Sequence, residues 1–142
     1  MKAVIEKFIA ACNEGDERQA WALLTPTTVI TVAGSTWFSG RFEGEEQIRR
    51  ILLATVQEYL HATHIKLLEI IAENAYVAAL IEVSGNTRKG TPFLRAGSPW
   101  GVCFTLDDQR IVSVELFPDT MFVETTLCGA TYQPNDPAQV LS

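Results

Sequence analysis

The opening segment, residues 2–16, constrains the fold more than any other part of the chain. Val4, Ile5, Phe8, Ile9 and Cys12 recur at spacings of one, three and four residues. Those spacings line one face of a helix with 3.6 residues per turn. Gly15 can take the left-handed conformation that ends such a helix. Asp16 can then cap a second helix over residues 17–24. A helix–Gly–Asp–helix opening, followed by a strand-rich remainder, predicts an α+β cone in which helices close one side of a curved sheet. Folds of that shape leave a cavity between helices and sheet.

The chain has 142 residues, the size of one domain. It divides into a domain over residues 1–129 and a C-terminal tail over residues 130–142. The charge balance is acidic, with 11 basic against 17 acidic residues and a net charge of −6. Nucleic acid and anionic membranes both favour a basic footprint, so neither is expected as a partner. No apolar run approaches the roughly 18 residues of a membrane span. Lys2, Glu6 and Lys7 interrupt the start too early for a secretion signal, so a cytoplasmic protein is expected. Cys12, Cys103 and Cys128 stand far apart and the two histidines, His61 and His64, have no cysteine nearby. That pattern predicts free thiols and no metal site.

Further along, Thr25-Pro26 is predicted to stop the second helix. Val29–Val32 reads as a short strand, and residues 34–44 as a loop or ragged hairpin carrying Trp37 and Phe38. Residues 45–59 read as a third helix with Ile48, Ile51, Leu52, Val56 and Tyr59 on its apolar face. Residues 63–72 and 75–84 form a predicted hairpin. A long loop, with a short edge strand around Phe93, is expected over 85–99. Residues 100–106 and 110–117 form a second hairpin about Asp107-Asp108-Gln109. Residues 121–127 read as a helical turn or a last strand piece.

Several segments resemble the ketosteroid isomerase/SnoaL-like superfamily with the nuclear transport factor 2 fold. They are Phe8-Ile-Ala-Ala-Cys-Asn-Glu-Gly-Asp16, Leu23-Leu24-x-Pro26, Phe42-x-Gly44-x-x-x-Ile48, the strand Gly101-Val-Cys-Phe104 and Ile111-Val-Ser-Val-Glu115-Leu-Phe-Pro-Asp-Thr120. The resemblance spans about residues 4–127. It implies a cone-shaped α+β barrel, with three N-terminal helices packed on a curved, mostly antiparallel sheet. One fold of this kind hosts isomerases, cyclases, hydrolases, dehydratases and binding modules. Carried over by position, isomerase chemistry does not fit. Phe8 stands where the oxyanion-binding tyrosine would be, Val32 at or near the general base, and Trp100 or Gly101 where the protonated aspartate would be. The epoxide-hydrolase pattern loses its arginine at Glu82-Val-Ser84. The cyclase pattern keeps an acidic residue near the end of the last strand, Glu115 or Asp119.

The candidate catalytic residues are therefore Glu115, Asp119, His64 and Glu82. On the last strand Ile111, Ser113, Glu115 and Phe117 are expected to share one face, and Val112, Val114 and Leu116 the other. Both faces are largely apolar. This predicts helices and a pocket on one side and a second subunit, in a homodimer, on the other. Glu115 would be a carboxylate among apolar neighbours, and burial would make it an acid or base near neutral pH. Asp119 is either such a group or the cap of the segment that follows. Phe8, Val32, Trp37, Tyr59 and Trp100 are expected to line the ligand site, and Trp21 to lie in the core. Arg95, in the loop predicted to flap over the mouth, is a candidate for an anionic ligand group. The leading expectation is a cofactor-independent acid/base enzyme acting on a small hydrophobic or aromatic molecule. Its alternative is a non-catalytic binding or protein-interaction module of the same fold.

Overall fold

A computed structural model describes residues 1–94 and 97–127. Helix α1 (Lys2–Glu14) ends at Gly15, whose φ of 71° is left-handed and whose N–H reaches back to the carbonyls of Ala11 and Cys12. Asp16 caps α2 (Glu17–Ala22), its carboxylate accepting the Gln19 N–H at 3.1 Å. Both devices match the sequence expectation, because each depends on one residue's own backbone or side chain.

Strand β1 (Leu24–Val32) begins earlier than predicted, and α2 ends at Ala22 rather than Leu24. Pro26 lies inside the strand, where its missing N–H would break a regular ladder. The register with the parallel strand β7 (Arg110–Phe117) accordingly shifts between Leu24 and Val29. Thr28 stitches this gap: its hydroxyl accepts the Thr25 N–H at 2.7 Å and donates to the Ile111 carbonyl at 2.8 Å. Strand β2 (Gly40–Glu43) pairs antiparallel with β1.

The third helical stretch runs through α3 (Gly44–Gln47), a π-helical turn (Ile48–Leu53) and α4 (Ala54–Tyr59). Ile48 and Leu52 are buried as predicted. Ile51 is 53% exposed, contrary to expectation. The wider π turn rotates successive residues by less than an α turn does, which shifts the phase of the buried stripe. Neighbours Leu52 and Leu53 both reach the interior, and Ile51 turns outward.

Strands β3 (Leu60–Glu73) and β4 (Tyr76–Thr87) form the long hairpin; β3 exceeds its expected bounds at both ends, and β4 starts one residue late and runs three residues further. Its register breaks at His61/His64 and Leu67/Glu69, and such bulges bend and twist a strand. Gly85 permits the close approach near the first break, since a Cβ there would stand 2.8 Å from the His61 carbonyl oxygen. The short strand β5 (Pro92–Phe93) pairs with β4 at Gly85 and Asn86, as expected for an edge strand about Phe93. Strands β6 (Trp100–Asp107) and β7 meet at Asp108 and Gln109, both left-handed, as a two-residue hairpin requires. Residues 120–126 are helical (α5, Thr120–Thr126). The order across the sheet is β2-β1-β7-β6-β4-β3, antiparallel except for β1 with β7. The predicted tail, Cys128 and Arg95 lie outside the described residues.

Two cores fill the concave side. In one, Val4, Ile5 and Ile9 of α1 pack with sheet residues including Val102, Phe104 and Ile111. In the other, Val32, Phe38, Ile48, Leu52, Phe93 and Val123 pack together. Ile111 corrects the expected face assignment. A register shift at the β6–β7 bulge lets it join Val114 in the core instead of sharing a face with Glu115.

Candidate functional site

Between the two cores lies a hollow of about 290 Å³. Its walls come from α1 (Phe8, Ile9), β1 (Ile30, Val32), the π turn (Leu52, Leu53) and the inner faces of β3, β4, β6 and β7. Five aromatic rings contribute: Phe8, Phe38, Phe93, Trp100 and Phe104. Phe93 is fully buried, stacked on Phe122 at 4.8 Å and edge-on to Trp100 at 6.3 Å. Phe8 meets Phe104 edge-on at 6.5 Å. Cys12, Leu53 and Thr63 are the lining residues most open to solvent, and they mark the mouth.

Polar groups at the hollow are few, and two are already engaged. The Asn13 carboxamide donates to the Ile65 carbonyl at 2.8 Å and accepts the Ile65 N–H at 2.7 Å. This paired bond ties the last turn of α1 to the edge strand β3 and braces the mouth. The Thr36 hydroxyl is shared with that of Ser39 at 2.9 Å. The Cys12 thiol sits at the rim, yet the apolar walls around it displace water. This desolvation pushes its pKa up to about 11, so it stays a neutral thiol at physiological pH. Among the described lining residues none is Asp, Glu, His, Lys or Arg.

The sequence-predicted residues separate into three groups. Phe8, Val32 and Trp100 line the hollow. Trp37 and Tyr59 stand behind it: Trp37, 59% exposed, packs on Tyr59 at 5.2 Å, and Tyr59 packs edge-on against the lining residue Phe38 at 5.8 Å. Glu115, Glu82, His64 and Asp119 are outside the lining; His64 and Glu82 are diagonal neighbours across β3 and β4, on the face away from the hollow. Glu115 alternates with the lining residues Val114 and Leu116, so it projects from the opposite, convex face and is exposed. The burial expected around it is not found. Glu82 alternates likewise with Ile81 and Val83, and exposed His64 with Thr63 and Ile65. Asp119 is half-buried beside the lining residue Pro118. It accepts the Phe122 N–H at 3.2 Å as the cap of α5, and the Ser98 hydroxyl at 3.0 Å. Trp21 is half-buried, with the Arg49 guanidinium 4.9 Å above its ring.

Asn13, Thr63 and Leu53 were not singled out from sequence. An amide two residues before the helix-ending Gly15 is the one local signal for Asn13. Among the described residues, no cluster of His, Cys, Asp and Glu is placed to hold a metal ion, and no helix is long and apolar enough to cross a membrane.

The SnoaL-like domain model matches residues 5–114. The chain belongs to the SnoaL-like family. No curated protein matches its sequence. Solved structures share the fold at low identity. An NTF2-like protein of unknown function from Burkholderia pseudomallei is similar with a TM-score of 0.79 and 14% identity, over 89% of this chain and 95% of that one. TerC, co-crystallised with polyporic acid, is similar with a TM-score of 0.77 and 17% identity, over 87% and 95%. A ketosteroid isomerase-like protein from Catenulispora acidiphila, in complex with trimethylamine, gives a TM-score of 0.72 and 15% identity, over 92% and 97%. This SnoaL-like chain therefore has the expected α+β cone with an NTF2-like fold.

Proposed function

We propose that this SnoaL-like protein binds a small apolar molecule in the hollow between helices and sheet, without acid/base catalysis. The observation that carries the reading is the lining: hydrocarbon and aromatic walls, and no carboxylate or imidazole among the described side chains that form them. Proton abstraction or delivery needs a titratable group within hydrogen-bond reach of the substrate. Among the described lining residues the one titratable side chain is the Cys12 thiol, and burial holds it protonated at physiological pH. The volume is close to the lower end of small-molecule pockets, roughly 300–1,000 Å³. Proteins of the same fold with polyporic acid or trimethylamine bound add to this support.

An acid/base reading would rest on Asp119, the candidate carboxylate that does not project from the convex face of the sheet. For that role its carboxylate would have to leave the α5 cap and the Ser98 hydroxyl.

The proposal includes a homodimer through the convex face of the sheet. Tyr76 and Leu80 are 64% and 39% exposed there, and Ile71 on β3 pairs with Ala78 between them. Phe117, 49% exposed, lies across Gly101 from Leu80. A contiguous apolar patch of this kind is suited to a self-complementary two-fold contact. Phe117→Asp is expected to convert a dimer into a monomer in sedimentation velocity.

The binding reading is tested by mass spectrometry of solvent extracts from gently purified protein. The expected result is an apolar molecule near stoichiometric amount, lost in Cys12→Trp, where an indole plugs the mouth. An equal amount in the plugged, folded variant would contradict the proposal.

A further inference from the structure

The walls of the hollow carry information about charge as well as polarity. An ion moved out of water pays a large desolvation cost unless a counter-charge or several hydrogen bonds meet it. Here the described lining offers no cation. Its amide side chain, Asn13, is pinned to Ile65 through its oxygen and one of its two N–H groups. The Thr36 hydroxyl is engaged with Ser39. What remains is the second Asn13 N–H, the Cys12 thiol, the Thr63 hydroxyl and the Trp100 indole N–H, four neutral groups on three elements. The Trp100 and Thr63 side chains make no hydrogen bond among the described residues, so each has a donor left for a ligand.

The mouth adds a second, independent bias. Cys12 and Asn13 lie in the last turn of α1, the end that carries the negative pole of the helix dipole. The chain as a whole carries a net charge of −6. An approaching anion therefore meets the negative end of a helix dipole on a net acidic chain, and no counter-charge among the described lining residues.

We propose that the cavity is an anion-excluding site, which takes uncharged molecules and accepts weak acids only in their protonated form. The proposal rests on the reading that this hollow is the ligand site. An apolar cavity of about 150 Å³ is large enough for benzene, so about 290 Å³ suits a molecule of two fused rings. For a weak acid, apparent affinity would then follow the neutral fraction and fall tenfold for each pH unit above the ligand's own pKa. For a ketone on the same rings, affinity would be flat with pH. The fixed walls decide this discrimination, because nothing in the described lining except Cys12 titrates, and that thiol stays neutral up to about pH 11.

The test is a pair of probes on one scaffold, 2-acetylnaphthalene and 2-naphthoic acid, titrated into the full chain between pH 5 and pH 8 and read by tryptophan quenching. The expected result is pH-independent binding of the ketone. The dissociation constant of the acid should rise about tenfold per pH unit, leaving it at least 100-fold weaker than the ketone at pH 8. Equal, pH-independent binding of both probes would overturn anion exclusion while leaving the apolar cavity in place as the site. No ketone binding, or ketone binding indifferent to Cys12→Trp, would overturn the underlying reading and the proposal with it. Leu53→Lys places the missing cation at the rim of the hollow, where Leu53 is 38% exposed. It is expected to strengthen naphthoate binding at pH 8 by about tenfold or more. No gain in that folded variant would refute the electrostatic cause.

Discussion

The two faces of the sheet differ in a way that governs the functional reading. The concave face carries Ile81, Val83, Val102, Phe104, Val114 and Leu116, and all of them line the hollow. The convex face carries Glu82 and Glu115, alternating with those same residues, together with exposed Tyr76, Leu80 and Phe117. One residue of displacement along a strand separates wall from exterior. Glu82, Glu115 and His64 thus neighbour the cavity wall in sequence yet lie on the far side of a single β layer from it, while Asp119 is held as the cap of α5. In the proposed reading, these outward groups take no part in binding and the ligand sits inside.

Substitutions at four positions probe this contrast. Phe93→Ala removes a fully buried ring that joins β5, α5 and Trp100. Its expected cost is about 3–5 kcal/mol in chemical denaturation. A loss under about 1 kcal/mol would mean that the concave side is not a packed wall. Asn13→Ala breaks both bonds to Ile65 and frees α1 from the edge strand. The expected loss is about 1–3 kcal/mol, with faster hydrogen exchange at the Ile65 amide. Asp119→Ala removes the α5 cap at a cost of about 0.5–2 kcal/mol, whereas Asp119→Asn, still a good cap, should change little. A large effect of the Asn variant would argue for a role that needs the charge. His64→Ala, on the exposed side of β3, should shift stability by less than about 0.5 kcal/mol. A larger loss would show that the outward-facing ionisable residues do more than decorate the surface.

Local rules made the N-terminal third legible from sequence. Gly15 and Asp16 act through their own backbone and side chain, so their roles hold whatever surrounds them. The hairpin about Asp108 and Gln109 was legible for the same reason. The facing of the strands was harder to read. Period-two alternation reveals which residues share a face, but not which face is inside, and Ile111 and Phe117 made the Glu115 face look as apolar as the other. The bulge near Leu106 then moved Ile111 to the core side and left Glu115 outside. The π turn was hidden for a related reason. Ile48, Ile51, Leu52 and Val56 fit an ordinary α-helical stripe, and packing over the hollow selects the wider turn that exposes Ile51. Of the candidate site, Phe8, Val32 and Trp100 were found. Asn13 was missed, because its partner Ile65 is 52 residues away.

The central claim is that the hollow, and none of the outward ionisable residues, holds the ligand. It is tested most directly by titrating 2-acetylnaphthalene into three forms of the protein: the native chain, the combined variant Glu82→Gln/Glu115→Gln/His64→Ala/Asp119→Asn, and Cys12→Trp. The account predicts equal affinity for the first two and at least a 100-fold loss for the plugged variant. Full affinity in Cys12→Trp, with loss in the combined variant, would contradict it.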